Sequence, residues 1–117
     1  MDLAKRDARY RVMRLIAANP SVSQRDIARS VGISLGAVNY CINALVGVGF
    51  VKVQNFRASD KKLRYAYILT PQGAAEKARL TALFLNRKMQ EYEALKAEIE
   101  ALQREADIRA SDPSSFS

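Results

Sequence analysis

Apolar residues recur at three- and four-residue intervals near the start of the chain, where Tyr10, Val12, Met13, Leu15 and Ile16 form a stripe that predicts a helix over residues 4–18. Asn19-Pro20 ends it, because proline lacks the N–H a helix interior needs and pushes the residue before it out of helical geometry. A second helix opens at Ser23: its side-chain oxygen suits an N-cap, Asp26 follows three residues on as a variant of the capping box, and Ile27, Ala28 and Val31 make an inner face. Gly32 closes that helix, Ile33 follows, and Ser34 caps a third. A turn of about three residues between two short helices is helix-turn-helix spacing.

Within the third helix, Val38, Ile42 and Leu45 keep the four-and-three interval of a buried stripe, and Leu35, Gly36, Asn39, Tyr40 and Asn43 fall on the other faces. The period then changes. "GFVKVQNF" and "LRYAYILT" are alternating runs rich in β-branched and aromatic residues, separated by the polar "RASDKK", which predicts a two-stranded hairpin. Thr70-Pro71 restarts a helix, since threonine caps well and proline is tolerated at the first helical position. This last helix is expected to reach about residue 106. Along it Leu85, Lys88, Tyr92, Leu95, Ile99, Leu102 and Ala106 follow a three-four repeat, a coiled-coil seam interrupted at Lys88. The expected architecture is mainly α with a small β-hairpin wing: a winged helix-turn-helix over residues 4–70, a long coiled-coil-like dimerisation helix over 71–106, and a flexible tail over 107–117.

Charge divides the chain at the same place. Residues 1–70 hold 12 lysines and arginines against four aspartates and no glutamate, a net of +8, whereas residues 71–117 hold seven basic and eight acidic residues, a net of −1. A basic head suits a polyanion, and a near-neutral helix suits some other task. One cysteine and no histidine remove internal disulfides, the usual zinc ligand sets and the Ser-His and Cys-His nucleophile systems. No enzyme activity, cofactor or metal is expected. Nor does any stretch approach the ~18 unbroken apolar residues of a membrane span, and the charged "MDLAKRDARYR" has no signal-peptide core behind it. The expectation is a cytoplasmic protein with no membrane partner.

The third helix then becomes the place to look for DNA contacts. In a helix-turn-helix the second helix enters the major groove with its N-terminal residues nearest the bases, so Ser34, Leu35, Gly36 and Ala37 are expected there, the small ones allowing close approach. Asn39 and Asn43 carry amides that donate and accept, which suits the edge of adenine, and Tyr40 offers a hydroxyl to phosphate or base. Set against ordinary solvated helix surface, contact with DNA is the better account of these residues. Arg57, Lys61, Lys62 and Arg64 surround the wing tip, where they can straddle a phosphate backbone; a basic edge that deters sheet aggregation is the plainer alternative. Arg25 and Arg29, on the outer face of the second helix, are lesser candidates for backbone phosphates. Cys41, beside the buried Ile42 and without a second cysteine to resolve an oxidised sulfur, reads as a small packed side chain.

Through "VSQRDIARSVGIS", "LGAVNYCINALVGVGFVKVQNF" and "YAYILTPQGAAEKARLTALFL" the chain resembles bacterial MarR-type winged-helix regulators over roughly residues 8–105. The nearest resemblance is to the short group associated with exopolysaccharide gene clusters, through "VNYC", "VQNF" and "TPQG". It implies a DNA-binding transcriptional regulator of polysaccharide (EPS) genes. Larger proteins of this type form their dimer from helices at both ends and hold a small-molecule pocket between lobes. Here a single long helix follows the wing, so that pocket is not carried over and any effector is left open.

Two functions are therefore expected to compete. One is a sequence-specific regulator of double-stranded DNA, a homodimer through Leu85, Tyr92, Leu95, Ile99 and Leu102. The other is a winged-helix protein-interaction module whose coiled coil recruits a partner. A basic, amide-bearing third helix beside a basic wing separates them, since a pure interaction module needs neither.

Overall fold

Three helix ends in the first half of the chain are each fixed by one identifiable residue. The computed structural model describes residues 3–57 and 63–111, in the order α1 (Leu3–Ala18), α2 (Gln24–Val31), α3 (Leu35–Gly47), β1 (Val51–Arg57), β2 (Leu63–Leu69) and α4 (Pro71–Ser111). Ser23 lies in extended geometry and its Oγ accepts from the Asp26 N–H at 3.0 Å, satisfying a donor that has no partner inside the helix. Gly32 ends α2 at a φ of 79°, a left-handed conformation that costs glycine little, and its N–H returns to the Ala28 carbonyl at 2.9 Å. Ser34 repeats the capping arrangement on α3, accepting from Ala37 N–H at 3.1 Å. Three residues thus turn the chain through 110° from α2 to α3, the helix-turn-helix angle.

α3 ends in a Schellman motif. Gly49 N–H bonds the Val46 carbonyl at 3.0 Å and Phe50 N–H bonds that of Leu45 at 2.9 Å, with Gly49 at a φ of 82°. This sharp exit sends the chain directly into β1, which pairs antiparallel with β2 from Val51↔Leu69 to Arg57↔Leu63. Alternation along the hairpin turns Val51 and Tyr67 into the core. Tyr67 N–H also bonds the Pro20 carbonyl at 2.9 Å, tying the wing to the connection between α1 and α2.

The core collects Tyr10, Val12, Met13 and Ile16 from α1, Ile27 from α2, Val38, Ile42 and Leu45 from α3, Val51 and Tyr67 from the wing, and Val22 from the first connection. Burying each large aliphatic side chain contributes about 1.5–3 kcal/mol over leaving it wet. Leu80 of α4, 3% exposed, completes this core. The beginning of α4 is fastened in two ways. Thr70 Oγ1 accepts from Gly73 N–H at 3.0 Å and donates to the Gly49 carbonyl at 2.5 Å. Gly73 lies so close to Phe50, the residue before β1, that an added Cβ would stand 1.9 Å from its carbonyl oxygen. The compact head accordingly runs through Ala82, and residues from Leu83 onward form a second unit made of the rest of α4.

Among the described residues no single helix is long and apolar enough to cross a membrane; α2 and α3 meet the length and composition only as a bent pair.

Candidate nucleic-acid interface

Val38, Ile42 and Leu45 anchor one side of α3 in the core, which turns Leu35, Gly36, Ala37, Asn39, Tyr40 and Asn43 outward. Its first turn carries no acidic residue. The unpaired N–H groups and the positive end of the helix dipole there favour a phosphate or a base acceptor. Ser34 Oγ already accepts a cap bond, which leaves its O–H free to donate outward.

The outward residues divide between two sides. Asn39 and Asn43 face α2 and the wing: Asn43 Nδ2 donates to Asn39 Oδ1 at 3.1 Å, and Asn39 Nδ2 donates to Gln24 Oε1 at 3.4 Å. Gln24 Nε2 in turn donates to Tyr67 Oη at 3.1 Å. Ala37 and Tyr40, the latter 79% exposed, border a cleft of about 510 Å³ between α1 and α3, together with Ala4, Lys5, Ala8, Arg9, Ile33, Cys41 and Ala44. Tyr40 is therefore separated from the two asparagines with which the sequence groups it. Cys41 is half-buried in the cleft wall; burial pushes its thiol pKa up, and the opposing pull of Arg9 is the smaller effect.

Arg25 and Arg29 are exposed on α2, and Lys52 is exposed on β1. Arg57 ends β1, and Arg64 lies opposite Phe56 in the hairpin register. Lys61 and Lys62 lie outside the described residues. Gln24 joins these asparagines to the wing, a link that the linear pattern does not single out, because its partners stand 15 and 43 positions away. Among the described residues no group of three Cys, Asp or Glu side chains could hold a metal ion.

In the second unit, Leu85, Tyr92, Leu95, Ile99 and Leu102 are between 46% and 62% exposed. Lys88, which interrupts their repeat, pairs with Glu91 at 3.1 Å and lies 5.3 Å from the centre of the Phe84 ring. Arg87 reaches the same glutamate at 3.5 Å.

A family profile described as winged helix-turn-helix DNA-binding matches residues 5–52. No well-characterised protein matches the chain by sequence. Among solved structures, smu.1704 from Streptococcus mutans superposes with a TM-score of 0.69 at 17% identity, covering 79% of this chain and 89% of its own. The PcaV transcriptional regulator of Streptomyces coelicolor, solved with its natural ligand, gives 0.63 at 21% identity over 91% of this chain and 74% of its own. CouR, a transcriptional repressor bound to a 23-mer DNA duplex, gives 0.56 at 25% identity over 85% and 70%. A MarR/EmrR family regulator from Acinetobacter sp. ADP1 gives 0.59 at 20% identity over 85% and 74%. The fold is the winged helix, in the arrangement that structures of MarR-family regulators share.

Proposed function

We propose that this chain is a sequence-specific regulator of transcription that binds double-stranded DNA as a homodimer in the cytoplasm, with polysaccharide (EPS) biosynthesis genes as its targets. The observation that carries the proposal is the outer side of α3. An acid-free helix N-terminus and two linked asparagine amides lie on the second helix of a helix-turn-helix, in a head whose sequence is strongly basic. The α3 N-terminus enters the major groove, Asn39 and Asn43 read adenine edges, and Ser34 and Arg25 hold phosphates. Arg57, Lys61, Lys62 and Arg64 of the wing engage the flanking backbone. CouR, of the same fold, is bound to a DNA duplex, which supports this assignment. The choice of target genes is supported by the resemblance of "VNYC", "VQNF" and "TPQG" to the exopolysaccharide-associated group, and the dimer by the exposed seam of α4.

Affinity for duplex DNA, measured from low to physiological salt, tests the assignment. Each phosphate neutralised by Lys or Arg releases counterions, so log K is expected to fall linearly with log salt at a slope of about −0.9 per contact. A flat plot would reject an electrostatic interface. Selection from random duplexes is expected to return a common sequence, and an unenriched pool would reject sequence reading.

A further inference from the structure

We propose that Gln24 is a positioning residue for DNA reading: it holds Asn39 and Asn43 in one hydrogen-bonded chain, Tyr67–Gln24–Asn39–Asn43, that fixes how both amides face the major groove. The inference rests on the proposed DNA-binding role of α3 and adds to it the device that makes two surface asparagines selective.

An asparagine on an exposed helix face turns freely about its terminal torsion, so its donor and acceptor ends exchange places. Adenine requires both ends at once, an acceptor for its amino group and a donor for N7. Here neither amide is free to turn alone. Gln24 is held at both ends, donating Nε2 to Tyr67 Oη at 3.1 Å and accepting Asn39 Nδ2 at 3.4 Å. Asn39 is held at both ends as well, since its Oδ1 accepts from Asn43 Nδ2 at 3.1 Å. Reversing one amide in this chain would set N–H against N–H or carbonyl against carbonyl. Its members turn together or not at all.

The chain has a rigid root. Tyr67 is buried and its backbone N–H is bonded to Pro20, so its hydroxyl stands at a fixed point between the wing and α2. A phenol both donates and accepts; here it accepts from Gln24 Nε2, and that sets the direction of the chain. An amide offers two N–H donors and two acceptor lone pairs. After the chain is formed Asn39 keeps one N–H and one lone pair, and Asn43 keeps one N–H and a whole carbonyl oxygen. Those remainders match the adenine edge. Ordering them before DNA arrives removes a cost that would otherwise fall on binding.

Two measurements on the full-length protein decide the matter. First, the side-chain amide resonances of Asn39 and Asn43 are followed by ¹⁵N NMR without DNA. Gln24→Met, unbranched, without a donor and with only a weak sulfur acceptor, is expected to shift both, and Tyr67→Phe to shift Asn39. Resonances that stay in place would overturn the chain whatever the protein does with DNA. Second, binding to a selected duplex and its single-base variants is compared for Gln24→Met, Asn39→Ala, the double variant and Gln24→Glu.

Gln24→Met is expected to lose discrimination at the base pairs where Asn39→Ala loses it, within the about 5- to 150-fold range of one bidentate contact. The double variant is expected to be no worse than Asn39→Ala alone, and the salt slope to stay unchanged. The carboxylate in Gln24→Glu accepts from both neighbours and restores the base profile while its charge weakens all duplexes alike. Loss at different base pairs, or strict additivity of the two variants, would mean that Gln24 touches DNA on its own account and overturn positioning. An unchanged profile in Asn39→Ala would instead remove base reading from the proposed function, and the NMR shifts would still decide whether the chain exists.

Discussion

Cys41 lies one position from Tyr40 on α3, in the wall of the cleft shared with α1, and burial holds its thiol pKa up. Its raised pKa keeps the thiol protonated at neutral pH, and the thiolate is the reactive form. Alkylation is expected to be slower than for a small free thiol, with its pH midpoint displaced upward. An unshifted midpoint would show the thiol to be fully solvated. Because the folded chain holds this proton more tightly than the unfolded one, the stability involved is complete below the unfolded pKa and is lost as pH rises through the folded value. Gly36 poses the opposite case. Nothing lies within 4 Å of a Cβ built there, so Gly36→Ala is expected to raise stability by about 0.5–1 kcal/mol through helix propensity. It should also weaken specific DNA binding if the backbone approaches a base or phosphate. Chemical denaturation and binding curves separate the two effects, and an unaltered affinity would place Gly36 away from DNA. The outward placement of Asn39 and Asn43 was legible in the sequence because Val38, Ile42 and Leu45 mark the buried face of the same helix. Gln24 was not, since periodicity sorts faces within one helix and carries no information about partners on another.

At the scale of elements, caps and turns were the most legible features, because each is decided by a few adjacent residues. Ser23, Gly32 and Ser34 bound their helices as the local chemistry requires. Thr70-Pro71 likewise signals the start of α4, but Gly73 fills a role no local rule predicts: it admits the Phe50 carbonyl. Leu80 was equally hidden, lying in "LTALFL", where apolar residues cover every face and the pattern cannot select one. The wing was read from its alternation and its charge. Lys61→Ala combined with Lys62→Ala is expected to make the salt dependence of DNA binding shallower by about one unit of slope per lost phosphate contact, and to leave base discrimination intact. An unchanged slope would remove these two lysines from the interface. A changed base profile would give them a reading role in the minor groove instead.

For the whole molecule, the question is what the second unit does with its apolar seam. Leu85, Tyr92, Leu95, Ile99 and Leu102 are each about half exposed, and covering the remainder is worth about 1 kcal/mol apiece. Two chains would gain on the order of 10 kcal/mol, to be set against roughly 4–15 kcal/mol lost on association. The two are of the same order, so assembly through this helix is expected to depend on concentration. Lys88 does not forbid it: the ammonium is paired with Glu91 and lies near the Phe84 ring, so its charge is compensated within its own helix. Two joined heads would read half-sites about one helical turn apart, ~34 Å, on one face of the duplex. Cutting the chain after residue 84 retains Leu80 and the whole head unit. The shortened protein is expected to stay folded, to sediment as a monomer and to bind the operator much more weakly, because each head must then find its half-site alone. A shortened form that remained dimeric would move the interface onto the head, and a full-length monomer at tens of micromolar would leave the seam without its second copy.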